Sequence, residues 1–334
     1  MTLSLVSDGS GFIGLHLVSL LLEKGQKVHT TIRSLKNIPK CKPLLDLRSK
    51  YPGHLSLFEA DLMKPNSFTQ AMQDCTIIYH VASPFLVHSR SKTENVLESV
   101  NKCQTVQRVV LTSFIAAMYG DCIEIASRKD STLSESCWNE TSSTTNNLYR
   151  YSKVIAEREA WKMQQVQNRW DLVVINPGLV LGPSLSPGSS SGSLFMVENL
   201  FRGDNKMGCP ELYFPIIDVR DVVEAHVRAG MNPVAKGGYI VAGDRSICLL
   251  EMTDLVRPVH QSPKVLPQCY LPKLLVYAVG PFIGVSMRRI AGNIGVRFKV
   301  DNSRSVRELG MSYRLEDEVV RGHYEDWVKS IGRR

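Results

Sequence analysis

Tyr149-Arg150-Tyr151-Ser152-Lys153 sets a phenol and an ammonium four residues apart. Residues at that spacing share one helical face, so the Tyr149 hydroxyl and the Lys153 amine can point into one cleft. A free phenol titrates near ~10. An adjacent cation favours the ionised form and makes the group a usable proton donor or acceptor near neutrality. Tyr151 has no lysine four residues on. Alone, Y-x-x-x-K recurs by accident, and it gains meaning from a second constellation. Ser7-Asp8-Gly9-Ser10-Gly11-Phe12-Ile13-Gly14 is a G-x-G-x-x-G run directly behind an apolar, strand-like stretch and at the start of a helical one. In that setting the three glycines serve a tight turn, backbone approach to a pyrophosphate, and close packing of the helix. The helix start at Phe12 and Ile13 offers amide hydrogens and a partial positive charge to phosphates.

The second strand-like run ends Thr31-Ile32-Arg33, with Lys36 nearby and no acid. A site that prefers NAD places Asp or Glu there to hold the ribose hydroxyls. A guanidinium suits a 2′-phosphate instead, so Arg33 and Lys36 predict NADPH over NADH. A solvated surface arginine is the plainer alternative.

Positioning these groups requires a scaffold. Leu3–Ser7, Lys27–Ile32, Leu55–Glu59, Thr76–Val81, Arg108–Thr112 and Asp171–Ile175 read as strands, and Phe12 to Leu22 reads as a mostly apolar helix closed by Gly25. Strands alternating with helices imply right-handed crossovers and a parallel sheet covered on both faces, a doubly wound α/β core. After Ile175 the alternation fades. Pro183 to Ser193 is a Pro-, Ser- and Gly-rich loop. Beyond it we expect strands at Leu212–Ile217 and Gly238–Val241 and helices near Val222–Ala229, Ser303–Leu309 and from Leu315. These divide the chain into residues 1–176 and a smaller unit, 177–334, partly interleaved with the first.

The 334 residues are 43% hydrophobic and 22% charged, with a formal charge of +8. These are globular proportions that exclude a disordered or disulfide-stapled chain. The basic residues are scattered, which suits an anionic small ligand and does not call for nucleic acid. Eight cysteines without a C-x-x-C pair or histidine clustering predict no metal site and a reducing, cytoplasmic setting. The longest apolar stretch, Leu274 to Met287, is too short for a membrane span. It reads as a core helix with its turn, and a membrane-contacting patch is the alternative.

With these residues in view, the sequence resembles the extended short-chain dehydrogenase/reductases, in their dihydroflavonol 4-reductase and cinnamoyl-CoA reductase-like branch. The matching segments span nearly the whole chain. They include Gly11 to Gly14, Ala60-Asp61-Leu62, His80-Val81-Ala82-Ser83-Pro84, Arg108 to Ser113, Glu135 to Trp138, the Tyr149/Lys153 pair, Asn176 to Pro183, and Asp218 to Val222. The resemblance implies a Rossmann-type NADP(H) domain with a small substrate domain, and hydride transfer to a ketone or aldehyde. It implies that Tyr149 protonates the developing alkoxide while Lys153 holds the nicotinamide ribose and lowers the Tyr149 pKa. Asp61 and Leu62 would line the adenine, Ala82 and Ser83 the middle of the cofactor, and Pro177 the nicotinamide. Relatives occur as monomers and as homodimers.

Three departures bear on activity. Asp8 replaces the usual glycine of a Thr-Gly start. It tolerates a left-handed turn but sets a carboxylate beside the pyrophosphate. Phe114 stands where the family's catalytic serine, the second of Thr-Ser-Ser, is expected. Losing such a donor costs ~10²–10³ in rate, and Ser113 serves instead only if the strand end shifts by one residue. The segment between Pro84 and Arg108 is short by about ten residues, roughly three helical turns, leaving a helix at about Thr93–Lys102. The leading reading is an NADPH-dependent carbonyl reductase. The alternatives are an alcohol or hydroxysteroid dehydrogenase running the reverse reaction, and a catalytically impaired NADPH-binding protein.

Overall fold

The computed structural model describes residues 2–82, 89–186 and 191–331. The six expected strands form as β1 (Leu3–Val6), β2 (Lys27–Ile32), β3 (Leu55–Glu59), β4 (Ile77–His80), β5 (Arg108–Thr112) and β6 (Asp171–Pro177), each within two residues of its sequence boundary. β7 (Gly237–Val241) joins them, and the parallel sheet runs β7-β6-β5-β4-β1-β2-β3. Leu5, Val28, Ile78, Val109 and Val173 are wholly buried, as a sheet covered on both faces demands. Helices α1 (Phe12–Glu23), α2 (Ile38–Lys50) and α5 (Val219–Met231) cover one face. α3 (Ser89–Lys102) and α4 (Leu148–Gln165) pack together on the other.

The chain leaves β1 toward β3 and then returns beside β1 as β4. The crevice above the carboxyl ends of β1 and β4 is therefore the switch point where ligands of such sheets bind. The glycine loop follows β1, and Val81-Ala82 follows β4, so both face that crevice.

The strand expected at Gly238–Val241 pairs in parallel with β6 from Gly237↔Val173 to Val241↔Pro177. It and α5 are the segments that return to the first sheet. Two other expectations need correcting. Leu212–Ile217 is not one strand. Pro215 interrupts it, leaving Tyr213–Phe214 and Ile216–Asp218, and the Pro215 carbonyl accepts the Leu179 amide at 2.7 Å. The shortened segment still yields α3, which begins at Ser89 and lies along α4, so the helix that carries Tyr149 and Lys153 keeps its neighbour.

The second unit has its own core, where Leu194, Phe201, Met252, Val256 and Val320 join helices Gly192–Arg202, Leu249–Val256 and Glu316–Ile331. Leu274–Met287 does form a helix and turn, but its residues are not core: Leu274 is 85% exposed and Phe282 91%. Among the described residues no helix is long and apolar enough to cross a membrane.

Candidate active site

Sterics dictate the glycine loop. Asp8 adopts φ 55°, the left-handed turn expected there, and its amide donates to Thr31 Oγ1 at 3.3 Å. A Cβ on Gly9 would lie 1.9 Å from Thr30 Oγ1, and one on Gly14 would lie 2.1 Å from the Asp8 carbonyl oxygen. Gly11 begins α1, and no side chain caps the helix. The amides of Phe12 and Ile13 open its first turn, where a helix has donors for an anion. This cradle fits a pyrophosphate.

Asp8 is the discordant group. Asp8 is exposed as a residue. Its carboxyl nonetheless folds toward the loop, and desolvation there raises it above the ordinary value, with Lys40, Arg33 and a hydrogen bond from Ser10 pulling it back. Arg33 and Lys36 are exposed at the end of β2. The Glu59 carboxylate accepts the Leu35 amide at 2.7 Å, which fixes the turn between them. Lys40, at the start of α2, acts on the same carboxylate as Arg33. The sequence reading missed it, although it is a basic residue in the first helical turn after Arg33.

The other wall of the crevice hangs on Ser7. Its oxygen accepts the amides of Val81 and Ala82, each at 3.0 Å, and lies 3.0 Å from His80 Nδ1. With both amides donating, the hydroxyl proton goes to His80, whose Nδ1 is therefore the acceptor. His80 is buried and held neutral, pushed down to about 4 by desolvation and the nearby Lys153. Neither Ser7 nor His80 was anticipated. Ser83 lies outside the described residues. Asp61 accepts the Met63 amide at 2.9 Å, and the Leu62 carbonyl accepts from Asn95 at 2.8 Å, so both are set in a hydrogen-bonded turn after β3. Pro177 ends β6, buried beside Val241.

At the far end of the crevice, Lys153 Nζ lies over the Tyr149 ring, 5.4 Å from its centre. Lys153 is 7% exposed, and burial brings its ammonium down to about 8. Burial also raises the Tyr149 phenol above its ordinary value, with Arg150 partly offsetting it. In the ligand-free cleft desolvation sets the direction, and the cation that opposes it is Arg150 rather than the expected Lys153.

The end of β5 decides the fate of the serine. Ser113 and Phe114 are successive extended residues and so point to opposite sides. The Phe114 ring meets Tyr149 edge-on, 6.2 Å between centres. The Ser113 hydroxyl faces the other way and donates to Glu157 Oε2 at 2.5 Å. β5 stays in regular register with β6 through Thr112↔Ile175, so no shift brings Ser113 to Tyr149. Asn176 and Trp161 also donate to Glu157, at 2.9 and 3.4 Å. Its buried carboxyl is raised by desolvation and lowered by these three donors. Glu157 follows Lys153 by four residues, so helical spacing alone could have found it. A cavity of about 80 Å³ adjoins it, lined by Met118, Trp138 and Trp161. Another cavity, about 360 Å³, lies between Arg245, Asp254 and Glu316 and contains none of these groups.

The model of the NAD dependent epimerase/dehydratase family matches residues 5–243. The chain belongs to that family. It is 32% identical to a bifunctional dihydroflavonol 4-reductase/flavanone 4-reductase of Pyrus communis, over 94% of this chain and 88% of the relative. It is 31% identical to the cinnamoyl-CoA reductase CAD2 of Medicago truncatula, over 79% of this chain and 82% of the relative. Among solved structures, yeast methylglyoxal/isovaleraldehyde reductase Gre2 complexed with NADPH superposes with a TM-score of 0.81 at 26% identity, covering all of both chains. Vestitone reductase from alfalfa shares the fold at a TM-score of 0.72 and 22% identity. The Rossmann-type sheet is thus that of the family.

Proposed function

We propose that the chain is an NADPH-dependent reductase of a small or mid-sized ketone or aldehyde. NADPH supplies the hydride when bound. Gly9, Gly11 and Gly14 with the first turn of α1 hold its pyrophosphate, and Arg33, Lys36 and Lys40 its 2′-phosphate. Asp61, Leu62, Ala82, Ser83 and Pro177 line the rest of the cofactor. Tyr149 gives the proton of its hydroxyl to the carbonyl oxygen as negative charge develops there. Lys153, cationic but close to titration, holds the ribose and stabilises the phenolate that remains.

The observation that carries this reading is the buried Lys153 ammonium over the Tyr149 ring, at the far end of a crevice whose opposite end is a steric cradle that fits phosphate. The reductases named above support the direction of reaction. The test is Tyr149→Phe, assayed on a panel of carbonyls with NADPH. Turnover should fall at least ~10²-fold while the NADPH dissociation constant is unchanged. Unchanged turnover would remove Tyr149 from the chemistry.

Phe114 favours a second reading, a protein that binds NADPH without effective turnover. The panel separates the two: this reading predicts tight NADPH binding and no consumption with any carbonyl.

A further inference from the structure

The helix Lys273–Val279, Lys-Leu-Leu-Val-Tyr-Ala-Val, buries none of its residues. It folds against the Gly280–Ile283 turn and the Met287–Asn293 helix. That last helix ties the knob to the body, where the Asn293 amide donates to Asp121 at 2.6 Å and Gly292 abuts the same residue. On the outside, Leu274 and Phe282 are almost fully exposed, and Leu275, Val279 and Met287 are each about half exposed. Isolated exposed apolar residues are ordinary, but a contiguous group marks a surface that something covers.

Charge says what covers it. From Leu255 to Val300 the chain contains no Asp or Glu. Lys273, Arg288 and Arg289 stand exposed on the knob itself, whereas Arg257 and Arg297 of the same stretch are paired with Asp254 and Glu251. Glu211, at the foot of the knob, accepts the Tyr213 hydroxyl at 3.0 Å, and its other carboxylate oxygen and Lys273 Nζ both lie against Gly295, so Arg288 and Arg289 are the cations farther from an acid. A second copy seated by two-fold symmetry would place this patch against itself, and neither side would bring an acid from this stretch to meet the cations. A sheet of phosphates would neutralise them. The elements are too short to cross a bilayer, so the knob can only lie in its interface.

The geometry points to a docking face for an anionic phospholipid bilayer. Leu274 and Phe282 enter the boundary between headgroups and acyl chains, while Lys273, Arg288 and Arg289 face lipid phosphates. This surface is independent of the catalytic reading.

The test is flotation of the full-length protein with phosphatidylcholine vesicles containing about one third phosphatidylserine, against phosphatidylcholine alone. The protein should float with the anionic vesicles at low salt and bind at least about tenfold less to the neutral ones or at high salt. Leu274→Ser with Phe282→Ser should abolish flotation, and Arg288→Glu with Arg289→Glu should weaken it severalfold. All four sites are exposed, so melting temperature and NADPH affinity should stay at wild-type values. Protein that remains at the bottom with every vesicle overturns the proposal. So does a wild type that sediments as a dimer and becomes monomeric in the double-serine variant, which would assign the face to a second copy of this chain.

Discussion

The two ends of the crevice are built on different principles. At the phosphate end the determinants are steric: Gly9 and Gly14 sit where any Cβ would strike Thr30 or the Asp8 carbonyl, and the helix start supplies donors by backbone alone. A side-chain departure such as Asp8 leaves that geometry standing. At the other end, where the proposed reaction places the carbonyl, the determinants are side chains. One residue, Phe114, presents a ring to Tyr149 where that proposal calls for a hydroxyl, and the strand pairs remain regular. Architecture therefore persists at both ends, while chemistry is robust at one and fragile at the other.

Breaking the steric end should have the largest effect. Gly14→Ala places a methyl group 2.1 Å from a backbone oxygen that cannot move without reopening the Asp8 turn. Overpacking of this kind costs about 1–3 kcal/mol of stability. The melting temperature should fall, and NADPH titration of the folded protein should show no saturable binding. Wild-type affinity in this variant would mean that the loop is not the phosphate cradle.

Restoring the missing donor sharpens the other end. Phe114→Ser puts a hydroxyl beside Tyr149 and should raise kcat on the carbonyl panel by about 10²-fold, the worth of one such donor, with little change in NADPH affinity. A rate that stays level or drops would show that Phe114 is not the vacated position.

The contrast also explains what could be read from the sequence. β1 to β6 follow from alternating apolar runs with glycine stops, and the tight glycine turn into α1 follows from spacing within one turn. β7 carries the same local pattern as its neighbours, but its partner lies across a long insertion, which no local periodicity encodes. Phe114 was visible as a departure; the orientation that turns Ser113 toward Glu157 was not, because it depends on which face of β5 packs on α4. For Leu274 to Met287, composition gave the helix and its turn correctly. Burial depends on what else packs there, and among the described residues nothing covers Leu274 or Phe282.

Asp8 offers the smallest effect and the finest comparison, because there a side chain acts on the steric end. Its carboxyl is raised in the ligand-free protein by desolvation, and a bound pyrophosphate would raise it further by repulsion. The protonated form therefore binds NADPH better, and affinity should improve as pH falls through the Asp8 titration. Asp8→Asn removes the charge at every pH. It should tighten NADPH binding about tenfold at neutral pH, the ~1.4 kcal/mol of one pKa difference, and converge with wild type at acid pH. Fluorescence titration of NADPH across pH reads both curves. Parallel curves would place the Asp8 carboxylate outside the phosphate field and leave Arg33 and Lys40 to act on the 2′-phosphate unopposed.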